Sequence, residues 1–248
     1  LYNVYKDSLC VNTFSEIVCI KGGVFEELSC IHLKSSSTDA LYVAFGGGSV
    51  IDSVKMFASM TEHPYLTIPS TLSNDAIYSP IARLIKRGKK RSFGVIAPIG
   101  IIVDTDVIRR SPRRLILAGV GDLVSNLSAK KDCEIAERNI GETIDAFALE
   151  LASLGAESVL KFKVGDINTD LFINRLAYGL IFSGMAMIMS GNSRPASGAE
   201  HLISHAIDEY YPDRSTLHGV QVAWAQCWKN MSEKISRHIT NCITFLRN

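Results

Sequence analysis

Ala40-Leu41-Tyr42-Val43-Ala44-Phe45-Gly46-Gly47-Gly48-Ser49-Val50-Ile51-Asp52-Ser53-Val54-Lys55 decides the fold class of this 248-residue chain. An apolar run of strand composition ends on three glycines, and a helical pattern from Val50 to Met60 follows at once. Glycines at such a turn let a ligand approach the backbone closely and tolerate positive φ. The start of the helix offers unpaired N–H groups and a partial positive charge, which suits a pyrophosphate. The turn is neither G-x-G-x-x-G nor a P-loop ending in G-K-[ST], so at this point a tight strand–helix connection without a ligand competes with nucleotide binding.

Working outward, Ile17–Ile20, Tyr65–Pro69, Arg91–Ile96 and Ile101–Val103 also read as strands. Strands alternating with helical segments predict a parallel sheet covered by helices. The character changes at Ser111-Pro112, a good helix start. Beyond it Leu115–Leu127, Ala129–Ile140, Thr143–Leu160, Asp170–Met189, Ala199–Tyr210 and Val220–His238 carry helical spacing, and no strand is expected after Val103. The expected organisation is an α/β domain over residues 1–110 and an all-helical domain over residues 111–248. A hydrophobic content of 47% permits a sizeable core, and a net charge of +1 gives no reason to expect nucleic acid or a membrane surface as partner. Leu176–Ser190 is apolar but short and carries Gly179 and Gly184, so a buried helix is expected and not membrane insertion. Six cysteines without a C-x-x-C pair read as free thiols in a reducing compartment, which points to the cytoplasm.

Three further stretches carry chemistry. Thr67-Ile68-Pro69-Ser70-Thr71-Leu72-Ser73-Asn74-Asp75 runs on through Ser79-Pro80 from a strand end, where ligands sit in open α/β sheets; a plain polar connection is the alternative. Asp122 follows Gly119 and Gly121 in an otherwise apolar helical pattern, either as a capping or hydrogen-bonded core aspartate or as a buried carboxylate bound to metal. In Ser190–His205, His201 and His205 are spaced to share one helix face, and His218 opens another apolar stretch. Two helices meeting at their histidines would supply half of a metal site.

Together the Gly-Gly-Gly-Ser-x-x-Asp-x-x-Lys turn, Pro-Ser-Thr-x-Ser-Asn-Asp-x-x-x-Ser-Pro, the Gly-Asp helix and Ser-Arg-Pro-Ala-Ser-Gly-Ala-Glu-His-x-x-Ser-His…His-Gly resemble the glycerol-1-phosphate dehydrogenase family. That family is similar in fold to iron-type alcohol dehydrogenases, glycerol dehydrogenase and dehydroquinate synthase. The resemblance implies a dehydroquinate synthase-like fold: a Rossmann-like dinucleotide-binding domain, entered here part-way through, then an all-α metal-binding domain. It places NAD(P) on Gly46, Gly47, Gly48, Ser49, Val50, Ile51 and Asp52, and on Ser70, Thr71, Leu72, Ser73 and Ser79. The implied metal ligands are Asp122, His201 and His218, for zinc or, in some relatives, nickel. Asp75, Asp122 and His205 fall on substrate-contacting positions, with His205 and Asp75 in catalytic roles.

Such a site would reduce dihydroxyacetone phosphate to sn-glycerol 1-phosphate, a step of phospholipid biosynthesis, in a homo-oligomer. One carboxylate and two imidazoles suit zinc or nickel and leave a position open for the substrate. His205 either contacts substrate directly or orients its neighbours. Arg194 is the expected cation for the substrate phosphate, with pairing to a carboxylate such as Glu200 as its structural alternative. The other functional readings are a polyol dehydrogenase acting on an unphosphorylated substrate and a truncated non-catalytic homologue. Two departures stand out: Asp132-Cys133 replaces the family's Asp-Trp, and Met231–Asn248 does not resemble its final helices.

Overall fold

The computed structural model describes residues 14–28 and 39–247, with side chains described as far as residue 232. Strand β1 (Tyr42–Gly46) feeds helix α1 (Gly48–Thr61) through Gly47, and β2 (Tyr65–Pro69) returns beside it. β1 and β2 pair in parallel with Tyr42 opposite Tyr65 and Gly46 opposite Pro69, and the short β5 (Gly100–Ile101) pairs in parallel on the other side of β2. This is the expected parallel sheet, and α1 packs on it with Ile51, Phe57 and Ala58 buried. Phe57 extends a smaller cluster with Leu28 and Leu84.

Two strand expectations need correction. Ile17–Ile20 forms no strand; the segment runs irregularly. Arg91–Ile96 does not join the parallel sheet. Its residues lie mostly in β4 (Lys89–Gly94), which pairs antiparallel with β3 (Ile81–Lys86). Arg87 and Gly88 make the two-residue turn, with φ of 52° and 74°. Two consecutive left-handed residues give the hairpin turn whose twist matches its flanking strands. Gly88 tolerates that conformation, whereas Arg87 adopts it without the Asn or Asp that usually signals such a turn.

From residue 105 onward the described chain is helical: α2 (Thr105–Arg109), α3 (Arg113–Val124), α4 (Asn126–Ile140), α5 (Ala146–Leu160), α6 (Asp170–Ser190), α7 (Ala199–Tyr210) and α8 (His218–Arg247). Asp104, Asp145 and Thr169 accept N–H groups at the starts of α2, α5 and α6, which satisfies donors that a helix end leaves open. α6 is long and apolar enough to cross a membrane by length and composition alone. It packs as a core helix: Phe172, Ile173, Leu176 and Leu180 join Ile116, Leu123 and Val159 in the main cluster. Small residues bring these helices close, and Gly155 on α5 meets the backbone of Gly179 on α6.

The tightest approaches surround α3. A Cβ on Gly119 would lie 1.8 Å from the Leu72 carbonyl oxygen, and one on Gly219 would lie 1.9 Å from that of Ala118. α3 is thereby pressed between the loop after β2 and the first turn of α8. Gly219→Ala is expected to cost about 1–3 kcal/mol by overpacking, whereas Gly165→Ala, with nothing within 4 Å of the new methyl, should stay within about 0.5 kcal/mol. Thermal unfolding of both variants checks this; equal shifts would contradict the close approach.

Candidate functional site

The α3 contact carries Asp122, 5% exposed, to a point shared with the loop after β2 and with two histidine-bearing helices. Asp122 Oδ2 accepts the backbone N–H of Asp75 at 3.0 Å. Its Oδ1 lies 3.7 Å from His201 Nε2 and 3.7 Å from His218 Nε2. The candidate donor atoms of the three residues all fall within 4.8 Å of one another. Two ligands of a tetrahedral ion, each about 2.0–2.2 Å from it, stand about 3.3–3.6 Å apart, so the spacing suits a shared cation.

The remaining ring nitrogens are held from behind. His201 Nδ1 meets Glu200 Oε1 at 3.1 Å, and His218 Nδ1 meets Ser204 Oγ at 2.9 Å. When each Nδ1 carries the proton, both Nε2 atoms present lone pairs toward Asp122. A carboxylate or hydroxyl behind a ligating imidazole is the usual way to fix that tautomer. Glu200 is fully buried, accepts the Gly198 N–H through Oε1 at 2.7 Å, and has no hydrogen-bond partner for Oε2 among the described residues. Its place in the first turn of α7 also suits the helix dipole. Ala199 N–H is held by Asp132 Oδ2 at 2.8 Å, which ties the start of α7 to α4.

The protonation balance shows a shortage of positive charge. Burial pulls the His201 imidazole down, but the flanking Asp122 and Glu200 carboxylates outweigh it and raise the pKa to about 9. Burial drives His218 down to about 3 and His205 to about 4, so both are neutral near pH 7. For Asp122, burial acts upward, yet the facing imidazoles and the Asp75 N–H hold it below the ordinary carboxylate range. Burial first, and then the Asp122 charge, push Asp75 up to about 7. The site favours an added cation at the place where the three donors meet. The donor set, its spacing and its supporting hydrogen bonds all fit a divalent metal.

A cavity of about 140 Å³ opens beside this cluster. His205 and Asp75 line it, together with Asp122, His201 and His218. His205 stands one helical turn from His201, with ring centroids 6.4 Å apart, and 6.0 Å from His218. Asp75 Oδ2 accepts the Ser183 hydroxyl at 3.0 Å.

The glycine turn adjoins this region through its neighbours. Ser70 N–H donates to the Gly46 carbonyl at 2.8 Å, a Cβ on Gly47 would meet Thr71 Cγ2 at 3.3 Å, and one on Gly48 would meet Asn74 Oδ1 at 2.9 Å. Gly46–Gly48 and Ser70–Ser73 therefore sit side by side at the ends of adjacent strands. None of the three glycines has positive φ, so close approach is their use here and not left-handed backbone. Gly47 starts α1 in extended conformation without a side-chain cap; the Val50 N–H turns back to the Gly47 carbonyl at 3.0 Å, and the Gly48 and Ser49 N–H groups have no hydrogen-bond partner among the described residues. Ser49, Val50 and Ile51 lie in that turn, with Ile51 in the core. Leu72 is also core, so its contribution to a ligand would come through its backbone. Asp52 and Ser79 line the cavity but are engaged internally by Lys55, whose buried Nζ donates to Ser79 Oγ at 3.1 Å and lies 3.4 Å from Asp52 Oδ1.

Arg194 is not brought to the cavity lining. Its Nε and Nη2 grip Glu142 Oε1 and Oε2, both at 2.9 Å, a two-pronged pairing that holds the loop before α7. Glu142, not Glu200, is the carboxylate it meets. Sequence reading gave no role to Ser183, Ser204, Lys55 or Arg83; the two serines carry no pattern that would single them out, and Lys55 stands in the quoted turn without a visible partner.

Residues 24–112 match the sequence profile of iron-containing alcohol dehydrogenase. The chain is 38% identical over 215 residues to a glycerol-1-phosphate dehydrogenase (NAD(P)+) of Thermococcus sibiricus, an alignment covering 83% of this chain and 61% of the relative. It is 40% identical over 180 residues to the Pyrococcus horikoshii protein of the same name, covering 72% and 52%. The chain thus spans between 52% and 61% of the length of these relatives. In fold it is similar to glycerol dehydrogenase from Schizosaccharomyces pombe, with a TM-score of 0.76 at 22% identity over 93% of this chain and 63% of that one. A likeness also holds to an iron-containing alcohol dehydrogenase from Thermococcus thioreducens, with a TM-score of 0.67 at 20% identity over 89% of this chain and 63% of that one.

If Asp122, His201 and His218 share one cation, Asp122→Asn and His201→Ala should each weaken zinc or nickel binding by at least about tenfold, the low end for loss of a supporting group. His205→Ala should leave it within about threefold. Calorimetric titration of the purified variants reads this directly, and equal losses in all three would show a diffuse acidic surface instead.

Proposed function

Because this chain belongs to the iron-containing alcohol dehydrogenase family, on the branch of the glycerol-1-phosphate dehydrogenases, we propose that it takes part in the NAD(P)H-dependent reduction of dihydroxyacetone phosphate to sn-glycerol 1-phosphate. The observation that carries this reading is the meeting of Asp122, His201 and His218 at a cavity that Asp75 and His205 also line. In this reading residues 1–110 serve the cofactor and residues 111–248 serve metal and substrate. The ligand set suits zinc, with nickel as the alternative.

When bound, the metal supplies Lewis acidity at the substrate's C2 oxygen and the nicotinamide supplies hydride. The chain's own residues do the placing. Gly46–Gly48 and the open first turn of α1 receive the pyrophosphate. Ser70, Thr71 and Ser73, at the neighbouring strand end, hold the remainder of the cofactor. His205, neutral at physiological pH, hydrogen-bonds a substrate oxygen next to the ligand cluster. Asp75, fixed by the Ser183 hydroxyl, accepts from a substrate hydroxyl. The reading extends to a cytoplasmic enzyme that assembles as a homo-oligomer, the expectation drawn from the family.

Oxidation of NADH and of NADPH, followed with dihydroxyacetone phosphate or with dihydroxyacetone, tests the reading. Turnover should require added zinc or nickel and should favour the phosphorylated ketone. Faster turnover of dihydroxyacetone would replace this reading with that of a polyol dehydrogenase. Absence of cofactor binding and of turnover under every metal condition would replace it with a non-catalytic role.

A further inference from the structure

We propose that Arg83, on the hairpin strand β3, is the residue that grips the phosphate of the substrate; the inference rests on the phosphorylated-triose reading above. A small phosphorylated substrate needs fixed positive charge a few ångströms from its reacting carbon. Among the described residues, Arg83 is the lysine or arginine that lines the cavity, on a wall that also holds His205 and Ser92.

The Arg83 side chain is 22% exposed, buried enough for its charge to act in a partly dry setting. Its backbone is pinned by the Arg83 N–H donating to Asp52 Oδ2 at 3.2 Å. Of the guanidinium, Nη2 donates to Asp208 Oδ2 at 2.9 Å. Nε and Nη1 have no hydrogen-bond partner among the described residues and remain as donors for a ligand. A planar fork with open N–H groups matches the oxygens of a phosphate monoester.

Asp208 does not cancel this charge. The same carboxylate is shared with Lys90 Nζ at 2.9 Å and with the Ser215 hydroxyl. Two cations around one carboxylate leave a net positive charge, while Asp208 holds the guanidinium in place. An unphosphorylated triose would leave the open Nε and Nη1 donors of Arg83 without an acceptor, beside a guanidinium already held by Asp208. Arg83 thus sets the preference for a phosphorylated over an unphosphorylated ligand.

The test titrates dihydroxyacetone phosphate and dihydroxyacetone by calorimetry into the metal-loaded full chain, as wild type, Arg83→Gln, Arg83→Lys and Asp208→Asn. Wild type should bind the phosphorylated ligand more tightly. Arg83→Gln should lose at least about tenfold for it, the scale of a charge-assisted hydrogen bond, and stay within about twofold for dihydroxyacetone. Arg83→Lys should recover part of the loss, and Asp208→Asn, which keeps the cation, should retain the preference. Unchanged phosphate-ligand affinity in Arg83→Gln, or equal losses for both ligands, would overturn the assignment of Arg83 and leave the substrate reading standing. A wild type without preference between the two ligands would overturn the phosphorylated-substrate reading itself, and this inference with it.

Discussion

The carboxylate of Asp122 is the group on which the rest of the site depends. A charge buried this deeply is costly unless it is paired or hydrogen-bonded. Its compensation is drawn from three separate parts of the chain: the Asp75 N–H in the loop after β2, His201 on α7 and His218 at the start of α8. The demand of one carboxylate for partners therefore fixes the relative placement of the strand-end loop and two helices. Gly119 and Gly219 make the placement possible, since any side chain there would push α3 away from the loop or from α8.

Electrostatics and packing thus point to the same place. Asp75, Asp122 and Glu200 bring three carboxyl groups around two imidazoles. The chain alone answers with a proton on His201 and a raised Asp75. A divalent cation would satisfy the same groups with less compromise, because it replaces the proton and quiets the repulsion between Asp75 and Asp122. Ser204 and Glu200, behind the imidazoles, would then act as the outer supports that hold tautomer and ring angle.

Much of this was legible in the sequence. The strand–glycine–helix turn could be read as a local pattern and the spaced histidines as a residue type with narrow chemistry, whereas joining Asp122 to His201 and His218 came from the family resemblance, because a lone aspartate in an apolar helix does not announce a partner. The bounds of α1, β2 and α7 matched closely, since apolar spacing and flanking glycines or prolines mark them. The β3–β4 hairpin escaped because Arg87-Gly88 is not a usual turn signal and its strands carry many lysines and arginines. Ile17–Ile20 misled because β-branched composition cannot say whether a partner strand is available. Arg194 misled for a related reason: an arginine near a ligand histidine looks like a phosphate grip, but only the fold shows Glu142 already in its fork. Arg83 and Asp208 are 125 residues apart in sequence, and nothing local in either stretch announces the other.

X-ray absorption spectroscopy at the metal edge of the zinc- or nickel-loaded chain tests the central claim most directly. A single cation held by Asp122, His201 and His218 should show nitrogen and oxygen scatterers only, with the outer-shell signature of two imidazoles. That signature should fall to one imidazole in His218→Ala and remain at two in His205→Ala. Sulfur in the first shell, or an imidazole count that falls with His205 and not with His218, would contradict the account.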